Sequence, residues 1–196
     1  PEKFWVISAK GGPASGGKAS VDFVCTEEPK TAAAADAIVA RAKKSGWRVA
    51  EVEASETSRR PRAPFTTSTL QQAASSRLGL SPAQTMRLAQ RLYENGEITY
   101  MRTDSTNLAA QALSDLGQVV LDKYGAQYHH RQTYATKSKS AQEAHEAIRP
   151  TRATAFSVGR TAPEQKLYQL IWSRAMASQM SAARLLKTKI LARADD

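Results

Sequence analysis

Cysteine, long apolar runs and paired acidic motifs are all scarce in this sequence. The single cysteine, Cys25, excludes a disulfide framework and a cysteine zinc site and favours a cytoplasmic setting. No apolar run approaches the roughly 20 residues of a membrane span, so no membrane partner is expected. No DxD cluster occurs, and the N-terminal residues lack the profile of a signal peptide. Because the chain opens at Pro1 without a methionine, we expect it to be cut from a longer protein.

Positive charge is what the sequence has in excess. Its 28 lysines and arginines outnumber 18 aspartates and glutamates, which gives a formal net charge of +10. Such an excess attracts polyanions through a salt-dependent, sequence-independent interaction, so a nucleic acid is the expected partner. No helix with a purely basic polar face stands out, which disfavours an anionic membrane surface.

The pattern of apolar and polar residues divides the chain into a β-rich part and a mainly helical part. Residues 1–62 are β-rich: alternating apolar patterns predict strands at 4–7, 21–24 and 47–52, with a helix over 29–44 and an unassigned Gly/Ser-rich loop from Gly11 to Gly17. Residues 63–180 are mainly helical, and a strand pattern returns at 185–194. We therefore predict an α+β fold in which a helical domain, 63–180, is inserted into a β-rich domain formed by 1–62 and 181–196, with chain crossings near 60–64 and 181–184.

Caps and stops divide the helical domain into elements. A helix over 69–78 is expected to be capped by Thr67 or Ser68, and a second helix begins at Pro82 and ends at Asn95. The pattern over 97–102 is typical of a strand. The polar run 104–107 is interpreted as the cap of a helix that ends near residue 124, and further helices are predicted over 141–148 and 163–180.

Tyr100 and Arg102 are the first residues that suggest chemistry. In an extended run, side chains two residues apart lie on the same face. A guanidinium beside a phenol favours the phenolate and offers two hydrogen bonds to a phosphate, and a tyrosine that attacks phosphorus forms a covalent intermediate. On local grounds alone, a packed strand tyrosine beside a surface arginine is the commoner explanation.

His145 and Arg149 form a second candidate pair. If 141–148 is helical, they lie four residues apart on one face, where both can donate hydrogen bonds to a phosphate and the histidine can move a proton. Pro150 disfavours helical geometry at Arg149, which leaves its side chain able to reach outward. On local grounds alone, an exposed histidine and a helix-capping arginine are again the commoner explanation. The adjacent His129 and His130 lack the spacing of metal ligands, so no metal site is predicted in this chain.

A tyrosine, two arginines and a histidine are a phosphate-attacking set that tyrosine recombinases and topoisomerases both use. Here the tyrosine precedes the histidine and the second arginine, whereas recombinases of this kind place it last. Four ordered segments also resemble bacterial type IA DNA topoisomerases: PFTTSTLQQA at 64–73, LYENG with ITYMRTDSTNL at 92–108, SAQEAHEAIRPT at 140–151 and KLYQLIW at 166–172.

The resemblance implies specific roles. In that family Tyr100 is the nucleophile, which forms a 5′-phosphotyrosine on one strand of negatively supercoiled DNA before strand passage and religation, without ATP. Arg102 holds the scissile phosphate and favours the ionised phenol, His145 hydrogen-bonds the phosphate or its surroundings, and Arg149 supports the same surface. Glu146 is a candidate partner for an arginine. The helical domain is then the tyrosine domain, and the β-rich domain is part of the arch on which it swings.

The resemblance also implies what lies elsewhere. The Toprim domain of the family supplies the acidic ligands of Mg²⁺ and the general acid and base groups, so we expect these ligands outside this chain and no cofactor within it. A piece of this kind carries the nucleophile but does not relax DNA alone. A bacterial, cytoplasmic and nucleoid-associated setting follows from the same resemblance.

Two non-enzymatic alternatives stay open. The helices over 69–78 and 82–95 are compatible with a helix-turn-helix module that presents Gln84, Arg87 and Gln90 to DNA bases. RNA binding without catalysis would explain the charge, but it explains none of the four segments.

Overall fold

The fold was obtained as a computed structural model, which describes residues 3–12, 20–134 and 146–195. It combines helices with two small two-stranded sheets, which confirms the predicted α+β class. The chain divides into two compact units, one formed by Pro1–Thr57 with Leu185–Asp196 and the other by Ser58–Arg184. The divisions thus fall after residues 57 and 184, whereas the sequence prediction places them after 62 and 180.

The first unit contains a small hairpin, one helix and a two-stranded ribbon. Strands β1 (Ser8–Gly11) and β2 (Val21–Val24) pair antiparallel, with Ser8 opposite Val24. The predicted first strand, 4–7, is wrong, because the Trp5 amide donates instead to the Pro29 carbonyl (2.9 Å). Residues 13–19, which include most of the unassigned glycine-rich loop, lie outside the described residues.

The helix and the ribbon complete this unit. Helix α1 (Ala32–Lys44) begins where the Thr31 hydroxyl accepts from the Ala34 amide (3.2 Å). It is followed at once by β3 (Gly46–Arg59), which pairs with β4 (Ala183–Asp195). Strand β3 is longer than predicted and exposed along its whole length. Its extent follows from pairing with β4, which the local alternation over 47–52 does not reveal.

Capping decides where the first two helices of the second unit begin. Helix α2 (Thr67–Leu78) is capped by Thr66 rather than by Thr67 or Ser68, because Thr66 and Thr69 exchange hydrogen bonds in a capping box. Gly79, at φ 67°, ends it in the left-handed conformation. Helix α3 (Pro82–Glu94) begins with a second capping box, between Ser81 and Gln84.

Helix α4 (Ala110–Tyr124) begins later than predicted and without a local cap. The expected cap run, 104–107, instead forms a chain of short turns, in which the Thr103 hydroxyl accepts from the Ser105 amide (3.0 Å) and the Ser105 hydroxyl accepts from the Asn107 amide (3.1 Å). The start of the helix is capped by a residue that is distant in the sequence: the Glu146 carboxylate accepts a hydrogen bond from the Ala109 amide (2.6 Å). A carboxylate there also complements the helix dipole.

Helix α5 (Ala162–Ser178) forms the centre of the second unit, with α2, α3 and α4 packed against it. Its Tyr168 ring is fully buried, and its hydroxyl donates to the Ala155 carbonyl (2.8 Å). Burial, with a smaller contribution from Glu97, raises the pKa of Tyr168 to about 12, so this phenol stays neutral. None of the helices in the described part of the chain is long and apolar enough to cross a bilayer.

Candidate active site around Tyr100

The segment that carries Tyr100 is bent rather than extended. Only Ile98 forms a bridge, opposite Pro150, and the backbone bends at Thr99, Met101 and Arg102. The predicted strand over 97–102 is therefore wrong. Since the segment is not extended, a spacing of two residues does not place Tyr100 and Arg102 on the same face. The apolar pattern has another origin: Ile98 and Met101 are both buried and anchor the segment on either side of Tyr100, which is 42% exposed.

A threonine hydroxyl ties the N-terminal side of this segment to the segment of Arg149. The Thr99 hydroxyl donates to the Ala147 carbonyl (2.7 Å) and accepts from the Arg149 amide (2.9 Å). The Thr99 amide donates to the Arg149 carbonyl (2.9 Å). The two segments that carry the candidate residues therefore lie side by side, joined through the residue directly before Tyr100.

A second threonine holds the C-terminal side. The Thr67 hydroxyl donates to the Met101 carbonyl (2.8 Å) and accepts from the Thr103 amide (2.9 Å), while the Thr67 amide donates to the Thr103 carbonyl (2.9 Å). Three of the four segments noted in the sequence thus meet around Tyr100. Sequence reasoning missed the roles of Thr67 and Thr99, because no local pattern marks a threonine whose partners lie 36 or 50 residues away.

Removing the Thr67 hydroxyl is expected to loosen the Tyr100 segment. Thr67→Val keeps the shape but leaves the Thr103 amide without its acceptor and the Met101 carbonyl without a donor, which costs about 1–3 kcal/mol of unfolding free energy. Thr67→Ser retains the hydroxyl and serves as the matched control. Urea denaturation and amide hydrogen exchange check this: the Thr103 amide should exchange faster in Thr67→Val alone, and equal exchange in both variants would rule the contact out as a restraint.

Tyr100 also rests against a second tyrosine. Its ring meets that of Tyr93, in the last turn of α3, edge to face with centroids 5.3 Å apart and planes at 65°. Both rings are partly exposed, Tyr93 at 40% and Tyr100 at 42%. Such a contact restricts the orientation of the Tyr100 ring.

Arg149 is held in place rather than free to reach outward. Its guanidinium donates to both oxygens of Glu146 (2.7 and 3.3 Å) and to the Pro150 carbonyl (3.0 Å). The predicted helix over 141–148 is wrong across Glu146–Ile148, where Ile148 bridges to Phe65 in an extended arrangement. Pairing with Phe65 and Thr99 supplies these backbone groups with partners that a helix would have supplied locally.

The other two candidates differ in how far the structure describes them. Arg102 is exposed, and within the described part of the chain it makes no hydrogen bond or ion pair, so its guanidinium is available to a ligand. His145 lies outside the described residues, as do the other residues from 135 to 144. Its neighbour Glu146 contacts both Arg149 and the start of α4.

The helix-turn-helix alternative depends on side chains of α3. Two of the three proposed base-reading residues are engaged within the protein: the Gln84 side chain accepts from the Ser81 amide (2.9 Å), and Gln90 donates to Glu94 (2.7 Å). Arg87 alone among them is exposed without a described partner. Gln84 and Gln90 would have to leave these partners in order to reach DNA bases.

Comparison with known proteins identifies the family of this chain. The whole chain, residues 1–196, matches the family described as DNA topoisomerase. The chain belongs to that family.

Individual topoisomerases agree with this assignment. DNA topoisomerase 1 of Pseudomonas aeruginosa is 45% identical over 207 residues, which cover 100% of this chain and 24% of that protein. The Escherichia coli DNA topoisomerase 1 is 41% identical over 205 residues, again 100% of this chain and 24% of the relative. The chain thus spans about a quarter of the length of these curated relatives.

A solved topoisomerase structure also has a similar fold. Full-length topoisomerase I from Thermotoga maritima superposes with a TM-score of 0.73 at 28% identity, covering 98% of this chain and 32% of that one. The family expected from the four sequence segments is therefore confirmed, together with the α+β class.

Proposed function

We propose that this chain is the nucleophile-bearing part of a bacterial type IA DNA topoisomerase, in which Tyr100 cleaves one DNA strand. The observation that carries the proposal is the setting of Tyr100: an exposed phenol on a bent segment, held on both sides by the Thr67 and Thr99 hydroxyls. Restraint of this kind keeps a nucleophile oriented before the substrate arrives.

In the proposed reaction the Tyr100 phenol oxygen attacks a backbone phosphorus, and the bond from phosphorus to the 3′ oxygen breaks. The phenol loses its proton to a base, and the departing 3′ oxygen takes up a proton. The product is a 5′-phosphotyrosine, which conserves the phosphodiester bond energy, so the 3′ hydroxyl can later reverse the step without ATP. Passing a strand through the gap relaxes negative supercoils.

The arginines and His145 have separate parts in this proposal. Arg102, exposed and without a partner in the described residues, binds the scissile phosphate and favours the phenolate. His145 donates a hydrogen bond to the same phosphate. Arg149 acts as a positioning residue through its backbone bonds to Thr99, with Glu146 neutralising its charge. Its side chain would reach a phosphate only after leaving Glu146.

The chain leaves part of the chemistry to other regions of the protein. No group of three histidine, cysteine or acidic side chains in the described ranges can hold a metal ion, so Mg²⁺ would need ligands beyond these residues. We propose that these ligands and the acid and base groups lie in the remaining three quarters of the protein, in a cytoplasmic enzyme that acts on nucleoid DNA.

The test uses the longer protein that carries this sequence. A single-stranded oligonucleotide labelled at its 3′ end is expected to stay attached to the protein after denaturation, whereas a 5′ label is released, and peptide mapping should find the nucleotide on Tyr100. Attachment of the 5′ label, or a nucleotide on another residue, contradicts the proposal. The 196-residue chain alone is expected not to relax a supercoiled plasmid, and relaxation by it would show that the acid and base groups are present here.

A further inference from the structure

The turn that ends α3 contains an asparagine followed by a glycine. Asn95 is the C-cap of the helix and is exposed, and its side chain makes no hydrogen bond in the described part of the chain. Gly96 follows at φ 72°. The side-chain amide of asparagine can be attacked by the backbone nitrogen of the next residue, and glycine hinders this attack least because it has no side chain. Asn95 is therefore a candidate for spontaneous loss of its side-chain amide.

This reaction, deamidation, has two steps. The Gly96 nitrogen forms a bond to the side-chain carbonyl carbon of Asn95, and the amide nitrogen leaves as ammonia, taking the proton of Gly96. A five-membered succinimide ring remains, which water opens at either carbonyl. One product is aspartate. The other is isoaspartate, in which the backbone runs through the β-carbon and is longer by a methylene group.

The folded turn disfavours ring closure. The Gly96 amide donates to the Tyr93 carbonyl (2.8 Å), so the attacking nitrogen is already engaged. At the Asn95 ψ of 1°, this nitrogen eclipses the backbone nitrogen of Asn95, whereas the ring requires it to eclipse Cβ. The hydrogen bond must therefore break and the peptide must rotate before the ring can form.

A contact from a distant segment holds the turn closed. The Thr151 hydroxyl donates to the Gly96 carbonyl (2.7 Å), and the Thr151 amide donates to the Glu97 carbonyl (3.0 Å). Asn95, Gly96 and Thr151 are all exposed, so the turn can open locally without exposing the core. The hydroxyl of Thr151 adds to the cost of this local opening.

We propose that Asn95 is a deamidation site whose rate is set by opening of the turn from Tyr93 to Gly96, and that Thr151 restrains this opening. Deamidation is far slower than the opening and closing of a surface turn, so its rate follows the fraction of molecules that are open. Exchange of the Gly96 amide proton requires the same hydrogen bond to break. The two rates therefore change by the same factor when the turn is loosened.

The products disturb the support of Tyr100. Tyr93, whose ring lies 5.3 Å from that of Tyr100 between centroids, belongs to the same turn. A carboxylate at position 95 adjoins Glu94 at the C-terminal end of α3, where the helix dipole disfavours negative charge. The aged protein should therefore capture less DNA. This loss of capture rests on the proposed function, whereas the deamidation itself does not.

The test incubates the longer protein that carries this sequence at mildly alkaline pH and follows deamidation by mass spectrometry of tryptic peptides. Cleavage after Arg91 and Arg102 releases residues 92–102, which contain Asn95, and separates them from Asn107, the other asparagine of the sequence. Asn107 precedes a leucine and should stay intact. A synthetic peptide of residues 92–102 gives the rate without the fold. The folded protein should react more slowly, by the factor that protects the Gly96 amide from hydrogen exchange.

Thr151→Val removes the hydroxyl bond to Gly96 and should raise both deamidation and Gly96 amide exchange, each roughly twofold to tenfold. Thr151→Ser keeps the donor and should change neither rate. Asn95→Gln, whose longer side chain closes a ring far less readily, should stay intact. It should also keep its covalent capture of a 3′-labelled oligonucleotide through an incubation in which the wild type loses it.

Several outcomes would overturn the inference. Deamidation of the folded protein at the rate of the free peptide, or equal rates in Thr151→Val and Thr151→Ser, would contradict control by the turn. An unchanged Asn95 after the Gly96 amide has exchanged and the free peptide has converted would exclude the site. Undiminished capture by fully deamidated protein would refute the effect on Tyr100. If fresh protein captures no DNA, the proposed function fails, but the mass measurements still decide the site.

Discussion

Replacing Tyr100 by phenylalanine in the longer protein is expected to abolish covalent DNA capture, a loss of roughly a thousandfold or more, because no other atom takes the place of a removed nucleophile. The fold should be unaffected. The Tyr100 hydroxyl has no partner among the described residues, and the ring contact with Tyr93 survives the change, so the unfolding free energy should move by less than about 0.5 kcal/mol. Denaturing gels with a 3′-labelled oligonucleotide measure the capture.

Tyr93→Phe is the matched control for this experiment. It removes a hydroxyl from the neighbouring ring and leaves both rings in contact, so capture should persist. Capture that survives Tyr100→Phe would show that another group attacks the DNA. A non-catalytic DNA-binding module predicts a different pattern, in which the wild type binds DNA but captures none covalently and both variants behave like it.

Replacing Glu164 by glutamine is expected to cost about 2–4 kcal/mol of unfolding free energy, since it removes a buried charge acceptor. Only 3% of this side chain is exposed, and its carboxylate accepts from the amides of Arg160 (2.8 Å) and Thr161 (3.2 Å) and pairs with Arg91 (3.4 Å). Glutamine has one acceptor oxygen, and its amide group would face donors. Glu94→Gln, at an exposed helix end, is the control and should change little.

The same carboxylate predicts a pH dependence. Burial is the largest single influence and raises the pKa of Glu164, but the amides of Arg160 and Thr161 together with Arg91 outweigh it and lower the pKa below its ordinary value. The interactions that lower this pKa in the folded state stabilise the protein. Their contribution to the free energy of unfolding is complete at a pH above the unfolded pKa, about 4.3, and it disappears as the pH falls through the folded pKa. Urea denaturation at pH 7 and at about pH 3 should show a smaller acid loss for Glu164→Gln than for the wild type, and equal losses would contradict the assignment.

Helices α2 and α3 are predictable from sequence because the residues that begin and end them lie next to the helices in the chain. Gly79, Ser81 and Pro82 act within one or two turns of chain, and the structure places the boundaries within a few residues of expectation. The first cap is off by one residue, since Thr66, Thr67 and Ser68 are chemically similar and only Thr66 completes a reciprocal pair with Thr69.

Two predictions in the site, a strand over 97–102 and the last part, 146–148, of a helix over 141–148, are wrong because the hydrogen-bond partners of these residues lie far away in the sequence. Residues 97–102 alternate like a strand, and 146–148 continue a helix-forming run, but several of their backbone amides bond to distant segments. The Thr99 amide donates to the Arg149 carbonyl, the Ala147 amide to the Asn107 carbonyl and the Ile148 amide to the Phe65 carbonyl. The start of α4 is a third example, since its acceptor is Glu146. Motif resemblance identifies the residues that matter, whereas the hydrogen bonds that hold them depend on tertiary pairing.

The two threonine hydroxyls that hold Tyr100 have a consequence for how the protein folds. Their partners are 36 and 50 residues away, so each contact closes a long loop, and contacts of high sequence separation form slowly. During synthesis, which proceeds from the N-terminus, Tyr100 leaves the ribosome about fifty residues before Arg149. Helices α2 and α3 can form in that interval, but the tyrosine acquires its setting only when the later segment arrives.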